Sequence, residues 1–488
     1  MSSKLHVAGA KISESTPEKW LLKVSSHIKH LDLSYNQIHG KLTFQINFPK
    51  LGYIDLSHNL YEGPLPHWSS PASFLHLQCN KFSGSIPFNF DKMFPNLKEL
   101  YLSDNHFYGT IPPSLCNIKD LSLLSLKTNH LHGEFPQAWS AWRNILVVDV
   151  AQNNLSGNIS SSMGVPSSLV MLKMNNNNFG GKIPSSMFHN CTALKSIDLG
   201  DNRFTGSIPL WTRITRSNAS SKLQMLRLRS NSLSGHIPHR LCYLPSLHII
   251  DLGDNNFSGT IPKCLFHLTS LVHGTNSSGK PYGNVTYPQQ TTLTLKGREL
   301  VYDTTLGLVC SIDLSSNKLE GEIPEEITSL IELGTLNLSR NHFNGNIPSN
   351  IGNLIKVETL DLSNNNLSGV IPQSLIPASN QLQAVNEASI YMGNPYLCDL
   401  LTKCVGDNTP SPMNQGDDGR GHKDKDDIGK LGYYVSVTLG FILGFWGVCG
   451  TLLVKHSWRY IYFQFFDHIK DKVALAIALK VARFQRRS

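Results

Sequence analysis

A stacked solenoid of short parallel strands followed by one membrane-spanning helix is the fold class this sequence predicts, and three observations predict it. An asparagine in the context LxLxxN recurs at Asn36, Asn59, Asn80, Asn105, Asn129, Asn153, Asn177, Asn202, Asn231, Asn255, Asn317, Asn341 and Asn365. The intervals are 23, 21, 25, 24, 24, 24, 25, 29, 24, 62, 24 and 24 residues, so one unit recurs thirteen times with a single long interruption. Near the C-terminus, the 24 residues from Leu431 to Val454 carry no formal charge. No unit of this length buries its apolar face alone, so the stack is the folding unit.

Each position of the unit has a physical task, legible in the near-copies Thr335 to Pro348 (TLNLSRNHFNGNIP) and Thr359 to Pro372 (TLDLSNNNLSGVIP). Leucines at period two send their side chains to one face of a short strand, where they fill a core shared with the units above and below. The asparagine amide carries a donor and an acceptor, so stacked copies can satisfy the backbone of the bend where each strand leaves the sheet. Glycines such as Gly345 and Gly369 are expected to turn the chain tightly, and the following Ile-Pro to start the outer wall. This is the pattern of a leucine-rich repeat, a horseshoe or superhelix of short parallel strands and 3-10 turns.

The elements follow in order. Residues 1–24 read as a degenerate repeat, in which Ala10, Ile12 and Pro17 align with Asn36, Ile38 and the residues after them. The opening MSSKLHVAGAKISESTPEKW has no apolar secretory core and no cysteine-bearing cap precedes the repeats, so the chain is expected to begin inside a longer, N-terminally truncated array. Residues 25–271 form a first block of repeats and 309–379 a second. Between them lies an island at 272–308, because the 62-residue interval exceeds the 24-residue unit by 38. A break of that length in so regular a stack more often carries function than not.

Residues 380–405 close the array, with Cys398 and Cys404 expected to pair. Cys242 and Cys264 fall 11 and 9 residues past their asparagines in consecutive repeats, which places them one turn apart and able to bond. Cys79, Cys116, Cys191 and Cys310 have no evident partner. Within residues 406–430, the stretch from Asp407 to Asp427 holds six aspartates (Asp407, Asp417, Asp418, Asp424, Asp426 and Asp427) against Arg420, Lys423 and Lys425, the composition of an acidic stalk. Residues 431–454 span about 36 Å as a helix, enough to cross a bilayer core. In the tail, 455–488, eight cations outweigh Asp467 and Asp471, which places the C-terminus in the cytoplasm and the repeats outside. Nine N-x-S/T sequons, at Asn154, Asn158, Asn190, Asn218, Asn256, Asn276, Asn284, Asn337 and Asn366, all precede the helix.

Several function classes are excluded. The formal charge of +8 has no basic stripe interleaved with aromatics, which argues against nucleic acid. No GxSxG, HExxH or CxxC pattern appears, so no enzyme, metal site or cofactor is expected. The 34 residues beyond the helix are far too few for a kinase.

The LxGxIP repeats, the island, the Cys398–Cys404 pair, the acidic stalk and the stretch GYYVSVTLGFILGFWGVCGTL together make the chain resemble the plant leucine-rich-repeat receptor-like proteins. That resemblance implies a single-pass plasma-membrane receptor that binds an extracellular peptide, protein or glycan and signals through partner kinases. Plant defence is the first reading; a developmental peptide receptor, a decoy and an inhibitor of wall-degrading enzymes are the alternatives. Within the island, Tyr287 followed eight residues later by Lys296 and Gly297 matches a pattern that many such proteins carry, and is expected to order the loop for a ligand-dependent co-receptor kinase. Gly432, Ser436, Gly440 and Gly444 form a small-residue stripe on which the helix of an adaptor receptor kinase is expected to pack, assisted by the stalk. Ligand contacts are expected at outward strand positions, where central repeats place Lys127, Lys173, Arg227 and Arg229 and thereby favour an anionic or polar ligand patch.

Overall fold

A computed structural model of the chain describes residues 4–398, except 11, 14–25, 43–48, 67, 165, 210–220, 275–286, 288–290, 296–297, 303–305, 373–374 and 376–389. Cys404, the stalk, the apolar segment 431–454 with Gly432, Ser436, Gly440 and Gly444, and the basic tail lie outside the described residues. Among the described residues no helix is long and apolar enough to cross a membrane.

Two parallel sheets of fourteen strands run the length of the repeats. The first is built from the LxL phrases, three residues each, beginning with Lys4–His6 and His30–Asp32 and ending with Thr335–Asn337 and Thr359–Asp361. Its register never slips: Leu31, Ile54, Leu75, Leu100, Leu124, Val148, Leu172, Ile197, Leu226 and Ile250 stand in one row. The island does not disturb it, because Ile250 pairs directly with Ile312 on the far side. Residues 4–10 and 12–13 extend the stack by one more turn, in which Leu5 pairs with Leu31 and the Ile12 N–H donates to Asn36 Oδ1 at 3.0 Å.

The second sheet corrects the reading of the glycines as tight turns. Residues after each asparagine form strands of their own, such as His130–Glu134, Asn154–Asn158, His342–Asn346 and Asn366–Val370, and Gly345 and Gly369 lie inside them. Glycine is required there for two reasons. Gly345 has φ +71, where an L side chain is strained, and a Cβ on it would sit 2.9 Å from Glu322 Cγ of the preceding repeat. Beyond this sheet, prolines with extended backbone open short outer-wall helices, as Pro112 does for Pro113–Asn117 and Pro324 for Glu325–Ser329.

The core lies between the two sheets and the outer wall. The leucine row is almost wholly buried, and phenylalanines from the second sheet stack along the repeats, Phe82 on Phe107 at 6.3 Å and Phe179 on Phe204 at 6.4 Å. The asparagine ladder satisfies the bend. Asn129 Nδ2 donates to Leu126 O, to Lys127 O and to Leu102 O of the preceding repeat, while its Oδ1 accepts the Phe107 N–H at 3.0 Å. A fourteenth rung that the LxLxxN spacing did not reveal is Asn394, which accepts the Leu367 N–H at 3.1 Å and donates to Leu362 O. Cys242 and Cys264 are bonded across consecutive turns of the outer wall, with Cα atoms 5.7 Å apart. Cys398 is disulfide-bonded, while Cys79, Cys116, Cys191 and Cys310 are free thiols.

Candidate functional site

Alternation along each three-residue strand sends the middle side chain to the core and its neighbours to the opposite, open face of the first sheet. That face therefore carries a row of side chains which the solenoid's own packing does not dictate. Three zones follow one another along it.

The first zone, at the N-terminal strands, is aromatic and half-buried. His30 stacks on Tyr53 with ring centres 4.2 Å apart, Tyr53 lies 5.8 Å from Phe74, and His76 meets Tyr101 edge-on at 4.6 Å. Carboxylates thread between the rings. Tyr53 donates its hydroxyl to Asp55 Oδ2 at 3.2 Å, and His76 stands between Asp55 (3.6 Å) and Glu99 (3.4 Å). Burial disfavours the His76 charge, but the two carboxylates outweigh it and hold the imidazolium up to about 9. His30, with burial dominant, is lowered instead.

Tyr287 makes the second zone. It reaches from the island to strands 138 and 162 residues earlier in the chain, where its hydroxyl donates to Asp149 Oδ2 at 2.8 Å and lies 2.9 Å from Ser125 Oγ. Its ring stacks on Tyr101 at 5.9 Å and covers an apolar floor of Leu123, Val147 and Met171. The fit is close: Tyr287 is 8% exposed, Ser125 0% and Asp149 1%. Burial and the Asp149 charge push the phenol well above its ordinary range, so the hydroxyl remains a neutral donor. Lys296 and Gly297 lie outside the described residues, but they are the two residues between the antiparallel strands Thr291–Leu295 and Arg298–Tyr302.

The third zone corrects the picture of an open cationic patch. Arg227 is 4% exposed and its guanidinium is shared among Asp198 (3.1 Å), Asp201 (2.9 Å) and Asp251 (3.4 Å). Burial works against its charge, but the three carboxylates prevail and raise its pKa. Arg229 continues the lattice, with Nη1 3.0 Å from Asp313 Oδ2 and 3.6 Å from Asp251 Oδ1. These arginines balance aspartates that the stack itself places beside them, which their spacing in the sequence could have revealed, since Asp198, Arg227, Asp251 and Asp313 occupy equivalent strand positions. Lys173 is 3% exposed, and Lys127 is half-exposed.

The sequons divide as well. Asn154, Asn158, Asn256 and Asn366 are exposed. Asn337 is not free in the same way: its Oδ1 accepts from the Ser339 N–H and hydroxyl, and its Nδ2 donates to Asp313. Asn190 ends the helix Ser185–Asn190, and Asn218, Asn276 and Asn284 lie outside the described residues.

Comparison with known proteins accords with this architecture. A family model described as Leucine Rich Repeat matches residues 96–118, 222–244, 246–268, 309–330, 332–354 and 356–377. Receptor-like protein EIX2 of Solanum lycopersicum is 40% identical over 99% of this chain and 47% of its own length. Receptor-like protein EIX1 of the same plant is 37% identical over 62% of this chain and 32% of its own. The chain thus spans less than half the length of these relatives. Among solved structures, the Arabidopsis receptor kinase HAESA, in complex with the peptide hormone IDA and the co-receptor SERK1, aligns with a TM-score of 0.62 and 30% identity over 78% of this chain and 55% of that one.

Proposed function

This chain belongs to the leucine-rich-repeat receptor-like proteins of plants, and from that premise we propose that it is a cell-surface receptor whose open strand face binds an extracellular ligand and which signals through partner kinases, in plant defence. The observation that carries the reading is the open face itself. Its first zone offers half-buried aromatic edges and carboxylates at His30, Tyr53, Phe74, His76 and Tyr101, a surface rich in the side chains that anchor protein contacts. In this reading Lys127, which is partly exposed beyond that zone, contributes a ligand contact, whereas Arg227 and Arg229 belong to the ion lattice.

Signal transfer is assigned to the segments expected for it. The island, through Tyr287, Lys296 and Gly297, engages a ligand-dependent co-receptor kinase, and the small-residue stripe with the acidic stalk holds an adaptor kinase. A developmental peptide is the second reading, and it is favoured by the likeness to a receptor solved with a peptide hormone. The test is co-purification of the full-length protein with receptor kinases from plant membranes, before and after microbial elicitor extracts or endogenous peptides are added. Association that rises with elicitor supports defence, and association that rises with endogenous peptide alone supports development. Association indifferent to both overturns the receptor reading.

A further inference from the structure

Among the described residues, the pocket under Tyr287 is lined by the repeats, and its occupant comes from the island. Leu123, Val147 and Met171 stand in one register row of the first sheet, and Ser125 and Asp149 in the row beside it. The stack therefore forms this pocket whatever fills it. Its polar end is also fixed in advance, because Asp149 Oδ1 accepts the Ala151 N–H at 3.1 Å and leaves Oδ2 directed at the phenol. An apolar floor, an aromatic wall at Tyr101 and a paired acceptor at the far end describe a receptor for one chemical group, a phenol.

We propose that this pocket is a binding site for a tyrosyl side chain, filled here by Tyr287 and able to take the same group from an extracellular peptide or protein, which would displace the Tyr287 side chain as it binds. The inference rests on the reading that the open face binds a ligand, and it names the ligand's anchoring group. The covalent connection explains why Tyr287 holds the pocket in the absence of ligand: a tethered group has a high effective concentration, which a free competitor must exceed by further contacts along the face. Those contacts are at hand in the adjoining aromatic zone, which begins at Tyr101, the residue that Tyr287 stacks on. Phenylalanine is discriminated against, because it leaves Asp149 and Ser125 without the hydroxyl that satisfies them.

The experiment uses the full-length protein in detergent with Tyr287→Ala, which removes the occupant and leaves the floor intact. Calorimetric titration with p-cresol and with N-acetyl-tyrosinamide is expected to show saturable binding, with toluene at least about tenfold weaker for want of the hydrogen bond to a carboxylate. Wild-type protein should bind both phenols much more weakly, since its pocket is filled. Tyr287→Phe, which keeps the packing, should bind N-acetyl-tyrosinamide more tightly than wild type. Absent p-cresol binding in a Tyr287→Ala protein with unchanged far-UV circular dichroism overturns the site, as does toluene binding equal to p-cresol. Binding of p-cresol without N-acetyl-tyrosinamide overturns the exchange with a peptide-borne group. If Tyr287→Ala loses its circular dichroism, the Phe variant decides, and binding no tighter than wild type overturns the proposal. None of these outcomes bears on elicitor-dependent kinase association, so the receptor reading stands or falls separately.

Discussion

The residue just before each ladder asparagine is left-handed at all thirteen repeats, with φ between 52° and 56°, and none of the thirteen is glycine. The strain is imposed by the stack, since these N–H groups reach the next repeat's backbone, as Thr128 does to Ala151 O at 3.0 Å. A left-handed L-residue costs about 1–2 kcal/mol, least for asparagine and most for a β-branched side chain. Asn176 and Asn364 occupy the position at the smallest penalty, but Thr128 is β-branched. Thr128→Asn should therefore stabilise the protein by up to about 1 kcal/mol, less the hydroxyl's bond to Gln152, and thermal unfolding monitored by circular dichroism checks it. The asparagine ladder was legible in the sequence because one side chain performs the same task at a fixed spacing. The left-handed residue was not, because thirteen different positions share a backbone angle and no common side chain. Asn394 escaped for a related reason: it keeps the rung but sits 29 residues after Asn365 in MGNPYLC, where the leucine phrase has dissolved.

At the scale of elements, the strands were legible from period-two leucines, but what their open faces do was legible only in part. Lys127, Lys173, Arg227 and Arg229 look alike in sequence, and the register with the side-chain geometry tells them apart: Arg227 and Arg229 join the ion lattice, and Lys173 stands in the strand between Asp149 and Asp198. The resulting lattice has a consequence for pH. Asp251 is pushed up to about 7 by burial and by the neighbouring Asp313, against the pull of Arg227 and Arg229. A carboxyl raised above its ordinary 3.8 holds more protons in the folded protein than in the unfolded one between those values. Its contribution is therefore fully present at low pH and is lost as pH rises through 7. His76, held up to about 9, acts with the same sign, its contribution fading as pH rises from 6.5 through 9. The melting temperature should fall between about pH 5 and pH 8, and Asp251→Asn should flatten the lower part of that decline while leaving the His76 part. A slope unchanged by Asp251→Asn would show that the lattice titrates elsewhere.

For the repeat array as a whole, the sequence announced an interruption and its length, and the physics of the stack explains why so long an insertion is tolerated. Strand pairing passes from Ile249–Asp251 to Ser311–Asp313 as though nothing lay between, with the Ser311 N–H donating to His248 O at 2.8 Å. The asparagine ladder passes too, since Asn317 donates to Leu252 O and accepts from the Phe257 N–H. What no spacing could announce is the destination of Tyr287, because a contact between residues 138 and 162 apart depends on the path of the whole array rather than on any local pattern. Solenoid stability is a sum of repeat and nearest-neighbour terms, and the island interrupts none of the pairings between successive repeats. Replacing residues 275–305 by a short Gly-Ser linker should therefore leave the far-UV spectrum of the repeats and their single thermal transition close to wild type. The face that Tyr287 covers behaves differently: Leu123, Val147 and Met171 lose their cover and Asp149 and Ser125 their phenol, so binding of an apolar dye should rise. Loss of the cooperative transition would show instead that the island belongs to the folding unit. Under the proposed receptor function, a folded, dye-binding variant without ligand-dependent kinase association would separate the role proposed for the island in signalling from any part in stability.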